Sequence, residues 1–298
     1  MLNSVAKDKP REILNIDYTG NSEIGNGEGK YHDYNRLNNL TSKEWIKFQK
    51  SWFIVNPQSR KKDVMMHPAK FPEELIENFI RFFTKEGQTI FDPMVGTGST
   101  LLAAMNTNRN AIGIELSKKY AKVAAQRVND ESETMNNPGN RNNIKLYNGD
   151  ARMLDKIISS DIDYCITSPP YWDMLREKGF ETQKTREKMN YDTYYSEDER
   201  DVGNIEDYMR FLEELSEIYL KVYDVMKIGG YLTVIVKNIK KGGKIYPLAW
   251  DLAKKLDFFT LKDEKVWCQD NVKLAPYGYG YSWVSNTVHH YCLIFKKE

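Results

Sequence analysis

The first chemical signal lies in Thr167-Ser168-Pro169-Pro170-Tyr171-Trp172, which follows directly on the apolar run 162–166. Proline has no N–H and a fixed φ, so two in succession end a strand, and the residue before a proline is kept out of the α region. The result is a rigid corner that presents the Ser168 hydroxyl and the Pro169 carbonyl, with the rings of Tyr171 and Trp172 beside them. That set suits an exocyclic amino group. The amino nitrogen is a poor nucleophile because its lone pair is delocalised into the ring. Its two hydrogens call for two acceptors, and acceptors out of the ring plane favour the tetrahedral nitrogen that attacks an electrophile. No strong general base is required, because the proton can leave after the transfer. Read without its surroundings, the same segment is a Pro-Pro strand terminator followed by two core aromatics.

A second set surrounds Phe91-Asp92-Pro93-Met94-Val95-Gly96-Thr97-Gly98-Ser99-Thr100. A Gly-x-Gly turn between a strand and a helix lets backbone N–H groups and a ligand approach closely. The third glycine of a dinucleotide fingerprint would fall at Leu101, which disfavours hydride transfer. Asp92 and Pro93 stand at the strand exit. Glu115 ends the next strand about twenty residues on, where a carboxylate can accept from both ribose hydroxyls. Asp150, in Asn148-Gly149-Asp150-Ala151, follows the third strand and is placed to accept from an adenine amino group. Each acidic residue alone could be a solvated turn. Three at successive strand ends describe an adenosine pocket at the carboxyl edge of a sheet.

The elements that must position these residues alternate. A capping-box spacing at Thr41 and Glu44 opens a helix expected over 41–55, and an amphipathic helix is expected over 71–87, with Pro72 in its first turn and Gly87 past its end. Strands follow at 89–92, 111–115, 144–148, 162–166, 231–238, 260–269 and 289–297, and helices at 99–106, 117–130, 205–226 and 248–256. The alternation predicts an α/β, doubly wound, Rossmann-like sheet that is mostly parallel. The last two strands have no helix between them, so an antiparallel C-terminal strand is expected. Residues 173–203 fit no element and read as an insertion.

Taken together, "HPAKFPEELIENFI", "FDPMVGTGSTLLAA", "AIGIELSKKYAKVAAQRV", "GDAR" and "TSPPYW" resemble the SPPY-type amino-group methyltransferases that modify cytosine or adenine in DNA. The resemblance is clear over roughly residues 64–172. It implies S-adenosylmethionine as cofactor and a methyltransferase fold. It implies that Asp92, Pro93, Gly96, Gly98, Ser99 and Thr100 hold the methionine part, Glu115 the ribose, and Asp150 with Ala151 the adenine. His67, Pro68 and Phe71 would close over the cofactor, and Ser168, Pro169, Pro170 and Tyr171 would be catalytic, with Tyr171 stacked on the base. Family members often carry a lysine where this chain has Phe71. The serine form goes mostly with cytosine, so the 4-amino group of cytosine is favoured over the adenine amino group. The SPPY segment follows the glycine segment here, the reverse of the common order for DNA enzymes of the serine type.

Two substrates stay open, a short DNA sequence and a cytidine in structured RNA, with a non-catalytic cofactor-binding subunit less favoured. Trp172, Tyr277, Tyr279 and Trp283 are candidates for the substrate, the last three in a glycine-spaced run. Within the insertion, Lys184, Arg186 and Lys188 are candidates for phosphate contacts, and the basic clusters 60–62 and 240–244 suggest more of the same. Residues 1–60 are expected to be an N-terminal extension and a candidate for substrate contact, and 61–298 the methyltransferase domain. A formal charge of +1 excludes a histone-like polycation, so any nucleic-acid contact must come from local patches. Three cysteines and four histidines without a CxxC pair argue against a zinc site. No apolar span suggests a membrane segment, so the expected location is the cytoplasm.

Overall fold

Short runs of β-branched and aromatic residues pair into strands wherever a helix can return the chain. The computed structural model describes residues 35–56, 71–134, 143–159, 161–172 and 198–298. In chain order the strands are β1 (Trp52–Ile54), β2 (Thr89–Asp92), β3 (Asn110–Glu115), β4 (Ile144–Asn148), β5 (Ile162–Thr167), β6 (Met226–Val236), β7 (Ile239–Lys241), β8 (Lys244–Tyr246), β9 (Thr260–Cys268) and β10 (His289–Lys296). The helices are α1 (Ser42–Phe48), α2 (Glu73–Phe83), α3 (Ser99–Asn106), α4 (Lys118–Thr134), α5 (Leu154–Ile157), α6 (Tyr208–Val225) and α7 (Leu248–Lys255).

Eight strands form one sheet in the order β1-β9-β10-β6-β5-β2-β3-β4. β2 to β6 are mutually parallel, and β10 runs antiparallel to both β6 and β9, as the missing helix between the last two strands implied. The chain lays β3 and β4 on one side of β2, then returns to lay β5 and β6 on the other. The order therefore reverses between β2 and β5, the place where doubly wound sheets open a crevice at their carboxyl ends. Both faces are covered. Phe79 and Ile80 of α2 and Leu101 of α3 pack with Ile90, Ile166 and Ile235 on one face. Phe211, Leu215 and Tyr219 of α6 pack with Phe91, Cys165 and Val234 on the other. This two-sided burial is why β5 is apolar from Tyr164 to Ile166.

The structure departs from the sequence reading in four places. The helix expected over 41–55 ends at Phe48, although its capping box is present, with the Thr41 N–H donating to Glu44 Oε2 at 2.8 Å. Trp52–Ile54 instead pairs in parallel with β9, a non-local contact without a local signature. Part of the expected extension packs on the α2 face, where Phe48 stacks on Phe82 at 4.0 Å. β6 starts at Met226, not at 231, and passes through Gly229 and Gly230. A Cβ on Gly230 would lie 2.9 Å from the Asp163 carbonyl, so only glycine lets the strand continue there. Finally, β7 and β8 form a hairpin around Gly242 and Gly243, both at positive φ, as a two-residue primed turn requires. Among the described residues, no helix is long and apolar enough to cross a membrane.

Candidate active site

The carboxyl ends of β2, β3 and β5 open into one cleft, walled by Asp92–Thr97, Ser99, Thr100, Glu115, Asp150, Ala151 and Thr167–Pro170, with Phe71 at its side. The glycine turn, the acidic strand ends and the Ser-Pro-Pro corner thus share a site at the switch point of the sheet.

Asp92 is only 4% exposed. Its Oδ2 accepts from Thr100 Oγ1 at 2.6 Å, and its Oδ1 accepts from Thr167 Oγ1 at 2.7 Å and from the Met94 N–H at 3.0 Å. One carboxylate therefore ties the exit of β2 to the first turn of α3 and to the end of β5. Burial pushes its pKa up against these three stabilising bonds. Ser99 donates to Glu73 Oε1 at 2.9 Å, and Arg127 bridges the same oxygen to the Thr97 carbonyl. The side chains of Ser99 and Thr100 are thus engaged by the protein. What this segment turns toward the cleft is the start of α3, which has no side-chain cap, so its first N–H groups lack intrahelical acceptors. Gly98 precedes them at φ +87°, where a Cβ would press on Ala124 at 3.0 Å.

Glu115 is 9% exposed. It accepts from the Gly96 N–H at 2.9 Å on Oε2 and from the Ser117 N–H at 2.8 Å on Oε1. Desolvation by burial pushes its pKa up to about 7, partly offset by those two bonds. Two of roughly four lone-pair sites are used, which leaves room for two hydroxyl donors. Asp150 lines the cleft with both oxygens held by the Arg152 guanidinium, at 2.8 Å from Oδ2 to Nη2. An adenine amino group there would have to share them.

Ser168 is partly buried, and its Oγ lies 3.5 Å from the Pro169 carbonyl oxygen. The two acceptors expected for an amino group therefore stand together on the cleft wall. Pro170 joins them. Tyr171, expected to stack on a base, is instead buried with its hydroxyl 3.0 Å from His290 Nε2. His290 stacks on Trp267 at 4.5 Å, and burial pushes its pKa down to about 3, so its imidazole is neutral. Trp172, expected at the substrate, is placed differently too. It is 4% exposed, packs on Tyr208 and Tyr246, and donates from Nε1 to the Glu206 carbonyl at 3.1 Å. As a fully wrapped ring it supports the corner from behind. Tyr277, Tyr279 and Trp283 are exposed in the β9–β10 connection and are not among the residues that line the cleft. His67, Pro68, Lys184, Arg186 and Lys188 lie outside the described residues.

Sequence reasoning missed Arg200, Asp201 and Val202, which line the cleft although they were read as the end of an insertion. The signal was present in Asp201-Val202-Gly203-Asn204, where Asp201 caps a 3₁₀ turn through the Gly203 N–H at 2.9 Å. It also missed Leu116, Ser117 and Tyr120, which extend the wall beyond Glu115.

Residues 5–126 match the family model described as DNA methylase. The orphan methyltransferase M.BamHII of Bacillus amyloliquefaciens is 38% identical over 93 residues, 30% of this chain and 35% of that protein. The Type II methyltransferase M2.DpnII of Streptococcus pneumoniae is 36% identical over 104 residues, 35% of this chain and 38% of that protein. The chain thus spans little more than a third of the length of these curated relatives. Among solved structures, an rRNA methylase from Streptococcus thermophilus is 12% identical with a TM-score of 0.44, over 81% of this chain and 99% of that one.

Proposed function

We propose that this chain transfers a methyl group from S-adenosylmethionine to the exocyclic amino group of a base in DNA, with the 4-amino group of cytosine favoured. The observation that carries this reading is the sharing of one cleft by the Ser168–Pro170 corner and the glycine–Glu115 cradle. Residues 5–126, which match the DNA methylase model, contribute the cradle half.

The cradle fits the cofactor on three counts. The uncapped start of α3 complements the methionine carboxylate. Gly98 lets the turn pack closely on Ala124, which seats the helix start at the cleft. The free lone pairs of Glu115 suit two ribose hydroxyls. Bound there, S-adenosylmethionine supplies an electrophilic methyl group on a sulfonium. Ser168 Oγ and the Pro169 carbonyl accept from the two amino hydrogens and hold the nitrogen lone pair toward the cradle. Pro169 and Pro170 keep that pair rigid, and Asp92 fixes its distance from the glycine turn through Thr167. Orientation of this kind is worth up to about 7–11 kcal/mol of a barrier. Serine at position 168 favours cytosine through the resemblance to the family.

A methyl-transfer assay with labelled cofactor, run on genomic DNA and on ribosomal RNA and followed by nucleoside analysis, tests the proposal. N4-methylcytosine in DNA is the expected product. Product in RNA alone, or label in neither polymer, overturns it.

A further inference from the structure

We propose that the carboxyl end of β6 and the β7–β8 hairpin form a phosphate-binding strip, in which Lys237 and Lys240 hold the backbone of the polynucleotide strand beside the target base. This rests on the reading of the substrate as a polynucleotide.

The strip begins at the corner. The last β6–β10 pair sets Val236 opposite Tyr291, and Lys237 and His290 are the next residues along the two chains from that pair. Lys237 shares a side of β6 with Ile235, which lines the cleft. His290 in turn holds Tyr171. Along the hairpin, the Lys241 ammonium lies 4.6 Å from the centre of the Trp172 ring, two residues past the second proline of the corner. Lys240 donates to Ser285 Oγ at 2.9 Å and thereby ties the hairpin to the β9–β10 connection. That connection carries Tyr279, Tyr281 and Trp283 almost fully exposed. Exposed rings next to cations are the ordinary equipment for holding an unstacked strand.

Two of the cations of the strip, Lys237 and Lys240, stand without a carboxylate partner among the described residues. Lys237 is partly buried. Burial and Lys240 both push the Lys237 pKa down, and Lys237 pushes down His289 and His290. Each of these groups is held toward its neutral form by burial and by like charge. A phosphate at the strip relieves both effects, because it restores polar partners to Lys237 and cancels the repulsion between the ammonium groups. A duplex or strand whose target base enters the cleft has to lay its backbone beside the corner, where this strip lies.

The test uses Lys237→Met and Lys240→Met, singly and together. Binding of fluorescein-labelled mixed-sequence duplex DNA, single-stranded DNA and RNA is followed by anisotropy across a salt series. Each lost phosphate contact makes the log–log salt slope shallower by roughly 0.7–0.9, so the double variant should bind tens of fold more weakly at about 0.1 M salt. The probe that responds identifies which polymer supplies the phosphates. S-adenosylmethionine affinity by calorimetry should be unchanged and certifies folding. Lys237→Arg should keep the slope, which separates charge from packing. If wild-type protein binds a probe with a steep salt slope and the double variant keeps both slope and affinity, the strip is wrong and the polynucleotide reading stands. If wild-type protein binds none of the probes, the polynucleotide reading falls and the strip falls with it.

Discussion

On the proposed function, Glu115 should make cofactor binding dependent on pH, with a sign that can be worked out. Its ordinary value is 4.5, and burial raises it to about 7 in the folded protein. A group raised in this way contributes stability that is fully present below about pH 4.5 and is lost as pH rises through about 7. The full loss is about 3 kcal/mol, at 1.36 kcal/mol per unit. Two ribose hydroxyls act in the opposite direction, since they donate to the carboxylate and favour its ionised form. Cofactor affinity should therefore rise with pH up to about 7 and level off above it. The rise is at most tenfold per pH unit, and binding below pH 7 should release up to one proton. Titration calorimetry with S-adenosylhomocysteine, which lacks the sulfonium charge, reads both quantities when run in buffers of different ionisation enthalpy. Glu115→Gln removes the titration. Its amide can accept from only one of the Gly96 and Ser117 N–H groups and sets its own NH₂ against the other. The variant should bind more weakly and with a flat pH profile. A wild-type profile that is flat between about pH 5 and 8, or one that survives unchanged in Glu115→Gln, refutes the assignment of Glu115 to the ribose.

Three further outcomes follow from the same geometry. Gly98→Ala forces a left-handed φ on alanine and a Cβ 3.0 Å from Ala124 Cβ, so denaturant unfolding should show a loss of about 1–3 kcal/mol, with cofactor affinity reduced as α3 shifts. Ser168→Ala should lower kcat strongly while calorimetric cofactor affinity stays put, because the hydroxyl meets the amino group and not the cradle; unchanged turnover would show that another acceptor serves. Tyr171→Phe leaves the ring but removes the 3.0 Å partner of His290, whose buried Nδ1 has none among the described residues. A stability loss of about 1–2 kcal/mol with a lower kcat is expected, and full retention of both would mean that the pair does not hold the corner.

Elements with a local signature were legible in the sequence. β2, α3 and β4 have the limits that their apolar runs and glycine punctuation predict. The antiparallel direction of β10 follows from topology alone. β1 was not legible, because three residues paired with β9 across more than two hundred positions leave no periodic trace. The hairpin of β7 and β8 was missed although Gly242-Gly243 is a strong turn signal, since its flanking strands are lysine-rich and lack alternating apolar residues. At the site, Asp92, Glu115 and Ser168, singled out from the sequence, all line the cleft. Aromatic roles were the weak point. A ring beside a corner can face the ligand or wedge the corner from behind, and only the packing of Tyr208 and Tyr246 reveals that Trp172 does the second.

The hydrogen bonds suggest a division of labour that residue types alone conceal. Asp92, Ser99 and Thr100 look like ligand contacts in the sequence, yet each spends its side chain on another part of the protein, as Thr167 does. Their effect on a ligand is exerted through the backbone. Asp92 draws the β2 exit, the first turn of α3 and the β5 exit onto one carboxylate, and the helix start and the Ser168 corner inherit their separation from that junction. A loop-borne acceptor and a loop-borne cradle would each wander by more than the tolerance of an in-line transfer, where a misplacement of about 1 Å can cost a hundredfold in rate. Tied through two short hydroxyl bonds to one buried group, they move together. Burial makes the tie costly, as the raised pKa of Asp92 shows, and three donors offset that cost. The carboxylate at the end of β2 is therefore best understood as the fastener that sets donor against acceptor, with the backbone of the glycine turn and the Ser-Pro-Pro corner as the surfaces that it aligns.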